Sequence, residues 1–441
     1  MDNIFRIQAR PSTAAIKELA ASAGDDFTFI FTKPEELRPV DGALHRMIQV
    51  ARYTGASMVY ADHFSIKGGE ESFSPVIDYQ EGALRDDFDF GGLLLVRSSA
   101  LKEAALEMDK EYKFAGLYDL RLRLSRKGSL VRIPEPLYYE VETDLRKSGE
   151  KQFDYVDPRN REVQIEMEKA CTEHLRAIGA LLTPPFKDAD FSCGVFPVEA
   201  SVIIPCRNRA ATIADAIRSA LSQKTSFPYN VIVVDDHSDD GTVDIIRGFE
   251  ADPKLVFIQQ GPGYHAIGGN WNAAISDPRC GRFALQLDSD DVYSDENTVQ
   301  KFVDAFHEQR AAMIIGSYRL TDIDLNEIPP GVIDHREWSD DNGMNNALRI
   351  NGLGAPRGFW TPLLREVTFP VVKYGEDYAV ALRICREYRI GRIYDVMYNC
   401  RRWRDNSDAD LSVEKVNANN LYKDRIRTWE LRARMAMLSA K

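Results

Sequence analysis

A short apolar run that ends in a cluster of acids constrains the fold of this chain more than any other stretch. Residues 283–293 read FALQLDSDDVY, and the first five of them have the mostly apolar character of a buried strand. Asp288, Asp290 and Asp291 follow at the end of this strand. In open α/β sheets ligands bind beyond the carboxyl ends of the strands, where a hard divalent cation takes carboxylate and phosphate oxygens. The pattern therefore indicates either a cation site or an acidic turn that caps the next helix.

The charge of the chain limits its partners. The 441 residues carry a formal net charge of -12, which disfavours nonspecific binding to nucleic acid and to a broad anionic membrane face. We therefore expect no nucleic-acid partner. An anionic substrate would need local neutralisation by a group such as a metal. The length of the chain predicts two or three domains.

The cysteines and the hydropathy of the chain favour a reducing compartment. Six cysteines are dispersed without a CxxC pair, a pattern that favours free thiols over disulfides. No stretch approaches the ~18 apolar residues of a membrane span, and the N-terminus MDNIFRIQAR lacks the apolar core of a signal peptide. We expect a cytoplasmic protein without a transmembrane segment, and peripheral association with a membrane stays open.

The sequence pattern divides the chain into four segments. Residues 1–155 alternate strand and helix patterns, and residues 156–197 form a helix and a linker that contains Pro184-Pro185. Residues 198–410 repeat a strand, polar loop and amphipathic helix, which predicts a doubly wound α/β sheet. Residues 411–441 form a C-terminal helix.

Four ordered elements between residues 200 and 405 resemble the GT-A fold glycosyltransferases of family 2, which are inverting nucleotide-sugar enzymes. SVIIPCRNR resembles the first strand and loop of that family, VIVVDDHSDDGT its nucleotide-binding turn, LQLDSDDV its DxD metal motif, and GEDYAVALR its ED motif at a helix start. The resemblance implies a GT-A catalytic domain that acts as a hexosyl- or hexosaminyltransferase in polysaccharide biosynthesis. The implied donor is a nucleotide-diphosphate sugar, commonly a UDP-sugar. The implied acceptor is a hydroxyl of a saccharide or lipid-linked molecule.

The resemblance also assigns the chemistry. The departing diphosphate builds negative charge, which Mn²⁺ or Mg²⁺ can offset. Asp290 best matches the metal position, and Asp291 and Asp288 would complete the metal shell or contact ribose, with the order of these two left open. Asp377 matches the base that takes the proton of the acceptor hydroxyl, and Glu376 would be a supporting catalytic acid. The alternative for this last pair is the acidic first turn of a helix.

Further site residues follow from their places in the matched segments. Donor contacts are implied for the first loop, the second strand end and the helix before the DxD strand, at Pro205, Arg207, Asn208, Arg209, Asp235, Asp236 and Asn272. Trp271 departs from the family, which often has an arginine there. Arg402 resembles a residue that closes over the pyrophosphate, with an exposed charge run as the alternative. Trp338 and Trp360 are candidates either for stacking on an acceptor sugar or for core packing.

The first segment resembles the later half of the catalytic unit. Two gapless slides show this: residues 116–138 onto 376–398, at 260 positions with seven identities, and residues 27–61 onto 283–317, at 256 positions with the apolar pattern kept. On these alignments Thr32 stands where Asp288 does, and Leu117 where Asp377 does.

We therefore expect residues 1–155 to be a degenerate, non-catalytic GT-A-like unit, through which the chain could form an oligomer. A binding role for Asp86, Asp87 and Asp89 in this unit stays open, with a surface turn as the alternative.

Two other functions compete with glycosyl transfer. A sugar nucleotidyltransferase has a similar fold and also uses carboxylate-bound metal, but it usually carries an early GxGTR-type loop, where this chain has PCRNRAA. A non-catalytic sugar-nucleotide-binding scaffold would not need Asp290 and Asp377 together. The sequence leaves the sugar, the acceptor and the linkage open.

Overall fold

The computed structural model describes residues 4–8, 10–33, 37–141, 160–403 and 411–440. It separates into two compact units. Unit 1 comprises Met1–Leu181, Leu348–Asn351 and Asp410–Lys441, and unit 2 comprises Leu182–Ala347 and Gly352–Ala409. The C-terminal helix thus clusters with unit 1. The predicted boundary at residue 155 lies outside the described residues.

The helices and strands are numbered along the chain. Unit 1 begins with β1 (Ile4–Arg6), α1 (Thr13–Ala21), β2 (Phe27–Phe31), β3 (Leu37–Pro39), α2 (Ala43–Thr54), β4 (Met58–Lys67), β5 (Glu70–Ser74), β6 (Leu93–Arg97), α3 (Ser98–Leu106), α4 (Gly116–Lys127), β7 (Leu130–Val141) and α5 (Arg161–Ala177). Unit 2 follows with β8 (Ala200–Cys206), α6 (Ile213–Leu221), β9 (Tyr229–Asp235), α7 (Thr242–Arg247), β10 (Leu255–Gln259), α8 (Ala266–Ser276), β11 (Phe283–Gln286), β12 (Val292–Tyr293), α9 (Thr298–Gln309), β13 (Met313–Thr321), β14 (Glu327–Ile333), α10 (Gly343–Asn346), β15 (Arg357–Trp360), α11 (Thr361–Val367), α12 (Glu376–Cys385) and β16 (Ile390–Arg401). The long helix α13 (Val413–Ser439) then belongs to unit 1.

Unit 2 contains a mixed sheet in the order β10-β9-β8-β11-β15-β13-β16-β12, with β14 paired to β13. The strands β8, β9, β10 and β11 are parallel, and β15 lies antiparallel to both β11 and β13. All seven residues of β8 and of β9 are buried, as expected for parallel strands covered on both faces. The carboxyl ends of these strands meet at one edge of the sheet, which positions the loops described below.

Unit 1 contains its own sheet in the order β1-β2-β6-β4-β7-β3, with β5 paired to β4. Apolar side chains fill both faces. On one face the core includes Ile16 of α1, Leu101 of α3 and Leu120 of α4. On the other face Met47 of α2 packs with Val59 of β4. The unit is therefore a sheet covered by helices on both sides.

The strand pairing of unit 1 repeats that of unit 2. The order β2-β6-β4-β7-β3 corresponds to β11-β15-β13-β16-β12, and each neighbouring pair has the same direction in both sheets. Both sheets also share a break in strand register: β4 shifts register against β7 at the place where β13 shifts register against β16. Met58 pairs with Leu130 as Met313 pairs with Ile390, so β4 corresponds to β13 at 255 positions rather than 256. Within the described residues, the sheet of unit 1 ends at β1 and has no counterparts of β9 and β10.

Candidate active site

The loops after β8 and β9 are joined by hydrogen bonds. Asn208, whose φ is 52°, donates its backbone N–H to Ser238 Oγ at 2.8 Å, and its Oδ1 accepts from the backbone of Asp239 at 3.0 Å. The backbone of Arg209 donates to Thr242 Oγ1 at 2.7 Å. The two loops are therefore held together at the carboxyl edge of the sheet. The DSDD loop after β11 lies at the same edge.

Three of the predicted donor residues in these two loops and strands are buried. Pro205 is buried within β8. Asp235 is fully buried, and its Oδ2 accepts a hydrogen bond from the backbone of Ser238 at 3.2 Å, so it stabilises the turn. Asp236 contacts His237 Nδ1 through Oδ1 at 2.9 Å, and its Oδ2 lies 3.9 Å from Arg207 Nη1.

The DSDD loop concentrates negative charge. Gln286 Nε2 donates to both carboxylate oxygens of Asp288 at 3.0 Å, and the backbone N–H of Asp288 donates to Tyr398 Oη at 2.9 Å. Burial, with the charge of Asp290, raises the pKa of Asp288. Burial and the charges of Asp290 and Asp288 raise the pKa of Asp291 well above its usual range. The charge of Asp290 thus disfavours ionisation of the two buried carboxyl groups beside it.

These residues fit a divalent cation in part. Asp290 is partly exposed at the edge, with Oδ2 3.7 Å from Arg209 Nε. Asp291 is only 4% exposed, and its Oδ1 accepts a hydrogen bond from the backbone of Arg401 at 2.7 Å, which ties the loop to the end of β16. Within the described ranges, no three His, Cys, Asp or Glu side chains are grouped to hold a metal by themselves. A cation at Asp290 would therefore need ligands from the substrate, as phosphate-bound Mg²⁺ commonly does.

The two ED-motif acids open helix α12 and have different surroundings. Gly375 precedes them with a φ of 80°, a conformation that glycine adopts without steric strain. Asp377 Oδ2 accepts a hydrogen bond from Arg357 Nη1, and about a quarter of the Asp377 side chain is exposed. Glu376 is 6% exposed, and burial together with the charge of Asp377 raises its pKa to about 8. Burial therefore favours the protonated form of Glu376 near neutral pH.

The two arginines at the end of β16, Arg401 and Arg402, have different partners. The Arg401 guanidinium donates to the backbone carbonyl of Asp290 and to Asp215 Oδ2, the latter at 3.1 Å. Arg402 directly follows β16, and its backbone N–H donates to the Thr321 carbonyl at 2.7 Å. Arg404, in the same run, lies outside the described residues.

Three sequence-predicted contacts need correction. Both ends of the Asn272 amide are hydrogen-bonded to the backbone of Phe369, at 2.8 Å each, so this side chain ties α8 to the loop after α11 and its polar ends are used within the fold. Trp338 and Trp360 are 4% and 8% exposed. Neither ring presents a face to solvent, and both belong to the core rather than to an acceptor platform.

Sequence reasoning missed Gln286, Arg357 and Tyr398. Each contacts an acid of the site through the side chain. Tyr398 already appeared as an identity between the two halves of the chain. Arg357 and Gln286 had no local signal, because they meet only through the pairing of strands that are far apart in sequence.

In unit 1 the equivalent positions are occupied by internal contacts. Lys33 pairs with Glu140, and the Thr32 hydroxyl lies 3.4 Å from the carbonyls of Gly91 and Gly92. Leu117 packs against the apolar core. The acids of RDDFDF serve the fold of unit 1: Asp86 pairs with Arg349, Asp87 with Arg85, and Asp89 accepts from the backbone of Gly91.

Comparisons with known proteins agree with this arrangement. Residues 201–366 match the model of glycosyl transferase family 2. A poly(ribitol-phosphate) beta-glucosyltransferase of Bacillus spizizenii is 25% identical over 230 residues, which cover 50% of this chain and 35% of that protein. A chondroitin synthase of Escherichia coli is 37% identical over 60 residues, 14% of this chain and 9% of that protein. The chain thus matches about a third or less of these relatives' length.

Two solved structures match part of the chain. The S. aureus protein TarS, residues 1-349 in complex with UDP, has a TM-score of 0.41 at 21% identity, covering 53% of this chain and 65% of that one. The mannosyltransferase PcManGT of Pyrobaculum calidifontis, in complex with GDP-Man and Mn²⁺, has a TM-score of 0.37 at 17% identity, covering 62% and 86%.

The α/β architecture of unit 2 fits the GT-A fold that the sequence predicted, and the chain has an additional N-terminal α/β unit. The match of residues 201–366 to the family 2 model confirms the resemblance found in the sequence. No helix of the described residues is both long and apolar enough to cross a membrane.

Proposed function

We propose that unit 2 is an inverting, metal-dependent glycosyltransferase. It would move a hexose or N-acetylhexosamine from a nucleotide-diphosphate sugar to a hydroxyl group. The observation that carries this proposal is the position of the DSDD loop and Asp377 on either side of one strand pair, β11 and β15, joined through Gln286 and Arg357. This arrangement supports a donor site and a base at the same edge of the sheet.

The chemistry of each group follows from its surroundings. A divalent cation held by Asp290 would offset the charge that develops on the leaving diphosphate. Arg209, near Asp290, and Arg402, after β16, would add guanidinium donors suited to phosphate oxygens. Asp377 would accept the proton of the acceptor hydroxyl on the face opposite the leaving group.

Glu376 would support Asp377. Because its pKa is raised to about 8, this carboxyl group is mostly protonated at pH 7 and places no second negative charge beside the base. Asp377 is instead paired with the guanidinium of Arg357. This division of the two acids favours Asp377 as the proton acceptor.

The donor and acceptor classes are proposed from the relatives. TarS is described with UDP and with UDP-GlcNAc, and the Bacillus relative is named for the transfer of glucose to poly(ribitol phosphate). We infer a UDP-sugar donor and an acceptor hydroxyl on a saccharide, polyol phosphate or lipid-linked glycan. The cysteines of the described residues are free thiols, which is consistent with an enzyme that acts in the reducing cytoplasm, where such donors are made.

A nucleotide panel tests the donor site directly. Thermal shifts would be recorded with UDP, GDP, dTDP and CDP, with and without Mn²⁺. We expect UDP with Mn²⁺ to give the largest shift. Asp290→Ala should remove the metal-dependent part of this shift, whereas Asp304→Ala, which removes an exposed acid of helix α9, should not. An unchanged metal dependence in Asp290→Ala would show that the DSDD loop is only a capping turn.

A further inference from the structure

A chain of hydrogen bonds connects the two functional halves of the candidate site. Arg357 Nη1 donates to Asp377, and Arg357 Nε donates to Gln286 Oε1 at 3.0 Å. The backbone N–H of Arg357 also donates to Gln286 Oε1, at 3.2 Å. Gln286 Nε2 in turn donates to both oxygens of Asp288. The carboxylate of the proposed base is therefore connected through two side chains to the first acid of the DSDD loop.

Strand pairing produces this arrangement. Leu285 of β11 pairs with Gly358 of β15 in antiparallel register, so the next residues along, Gln286 and Arg357, stand opposite each other at the end of the pair. The orientation of the Gln286 amide follows from its partners. Its oxygen must face the guanidinium, which only donates, and its nitrogen must face the carboxylate, which only accepts.

Arg357 is the cation that these acids share. Its side chain is 13% exposed. Burial lowers the pKa of Arg357, but the charges of Asp377, Asp288 and Glu376 outweigh that effect and raise it. A planar guanidinium can serve two partners in fixed directions, which a lysine ammonium cannot do. The geometry therefore needs arginine rather than a positive charge alone.

Unit 1 provides an internal comparison. By strand pairing, Ile30 and Leu94 occupy the places of Gln286 and Arg357. Leu117 stands at the place of Asp377, and all three apolar side chains belong to or pack against one core cluster. The polar network is thus present as a set in the unit with the DSDD loop and is replaced as a set in the unit without it. If this network served only to stabilise the sheet, we would expect it in the sheet of unit 1 as well.

We propose that Arg357 is a positioning residue of unit 2 that orients Asp377 for proton transfer and, through Gln286, fixes its place relative to the donor-side acid Asp288. This inference rests on the proposed transferase function. It predicts that Arg357 acts on the chemical step through Asp377, and that Gln286 acts mainly on donor binding through Asp288.

The test measures UDP release from UDP-glucose and UDP-N-acetylglucosamine by the full chain with Mn²⁺, with water as the acceptor. Arg357→Gln should lower kcat by about tenfold to a hundredfold, as misplaced catalytic groups do, with a nearly unchanged donor KM. Arg357→Lys should restore part of the rate. Gln286→Leu should raise the donor KM more than it lowers kcat.

Two controls separate positioning from stability. Arg282→Gln removes a guanidinium that pairs with Glu199 beside the opposite end of β11, and its kcat should equal that of the native chain. The double variant Arg357→Gln with Asp377→Asn should be no slower than Asp377→Asn alone, because Arg357 acts through Asp377. The melting temperature of each variant shows whether it is folded. If Arg357→Gln is unfolded, the kcat of Arg357→Lys is compared with that of the native chain instead.

The outcomes are distinct. A kcat for Arg357→Gln equal to that of Arg282→Gln, or an equal further loss of rate in the Asp377→Asn background, would overturn the positioning role while leaving the transferase proposal intact. Full activity of Asp377→Asn would instead remove the base assignment, and both proposals would fail together if the native chain released no UDP from either donor.

Discussion

Replacing Glu376 by glutamine should remove a pH dependence of stability from unit 2. The native carboxyl group has a pKa of about 8 against an ordinary value of 4.5, because burial and Asp377 disfavour its charged form. Between these two values the unfolded chain is ionised while the folded protein binds a proton, so stability falls as pH rises. From pH 6 to pH 8 the loss amounts to about 2 kcal/mol for a single group with this pKa. Glutamine has no proton to lose, so Glu376→Gln should lack this loss.

The measurement is urea unfolding at pH 6 and pH 8 in EDTA, followed by tryptophan fluorescence. Four of the five tryptophans lie in unit 2, so the signal reports mainly on that unit. The native protein should lose more stability than the variant across this interval. At pH 6 the native protein should already be about 2 kcal/mol less stable than the variant for this reason alone, because its unfolded chain is ionised there whereas glutamine has no proton to lose. Equal pH dependence in both proteins would show that Glu376 is ionised in the folded state, and the reasoning on its role beside Asp377 would be refuted.

Two further substitutions test the packing of the site. In Gly268→Ala the new Cβ would lie 1.9 Å from the Pro370 carbonyl oxygen. This overpacking should cost about 1 to 3 kcal/mol of stability and lower the melting temperature by several degrees. Gly261→Ala is the matched control and should be nearly neutral, because its Cβ would meet nothing within 4 Å. Tyr398→Phe removes the acceptor of the Asp288 backbone N–H, which should cost about 1 to 3 kcal/mol and weaken UDP binding in the same thermal-shift assay. An unchanged melting temperature in either variant would contradict the packing described here.

The sequence predicted the parts of the fold that have local patterns. The continuous apolar runs of β8 and β9 and the strand that leads into Asp288 stand as expected, since a buried parallel strand is recognisable from its own residues. The sequence also predicted the partial repeat in unit 1, because its apolar pattern matches that of unit 2. Its exact register was not, since the offset changes by one residue between β2 and β4.

Features that depend on contacts between distant residues were beyond the sequence. Arg357 and Gln286 are 71 residues apart and meet only because β15 lies antiparallel to β11. The burial of Trp338 and Trp360 had no local signal either, because an isolated tryptophan in a polar stretch is compatible with core or surface. Asn272 was assigned by position in a motif, and the structure shows both ends of its amide occupied by Phe369.

Asp377→Asn tests the central claim most directly. Asparagine keeps the size of the side chain and can contact the acceptor hydroxyl, but it cannot take a proton at neutral pH. Sugar transfer from the UDP-sugar should fall by roughly two to four orders of magnitude, while the thermal shift produced by UDP and Mn²⁺ should be retained. Adding Leu117→Asp to this variant should restore nothing, because the equivalent position of unit 1 packs against its apolar core. Transfer by Asp377→Asn at the native rate would contradict the account.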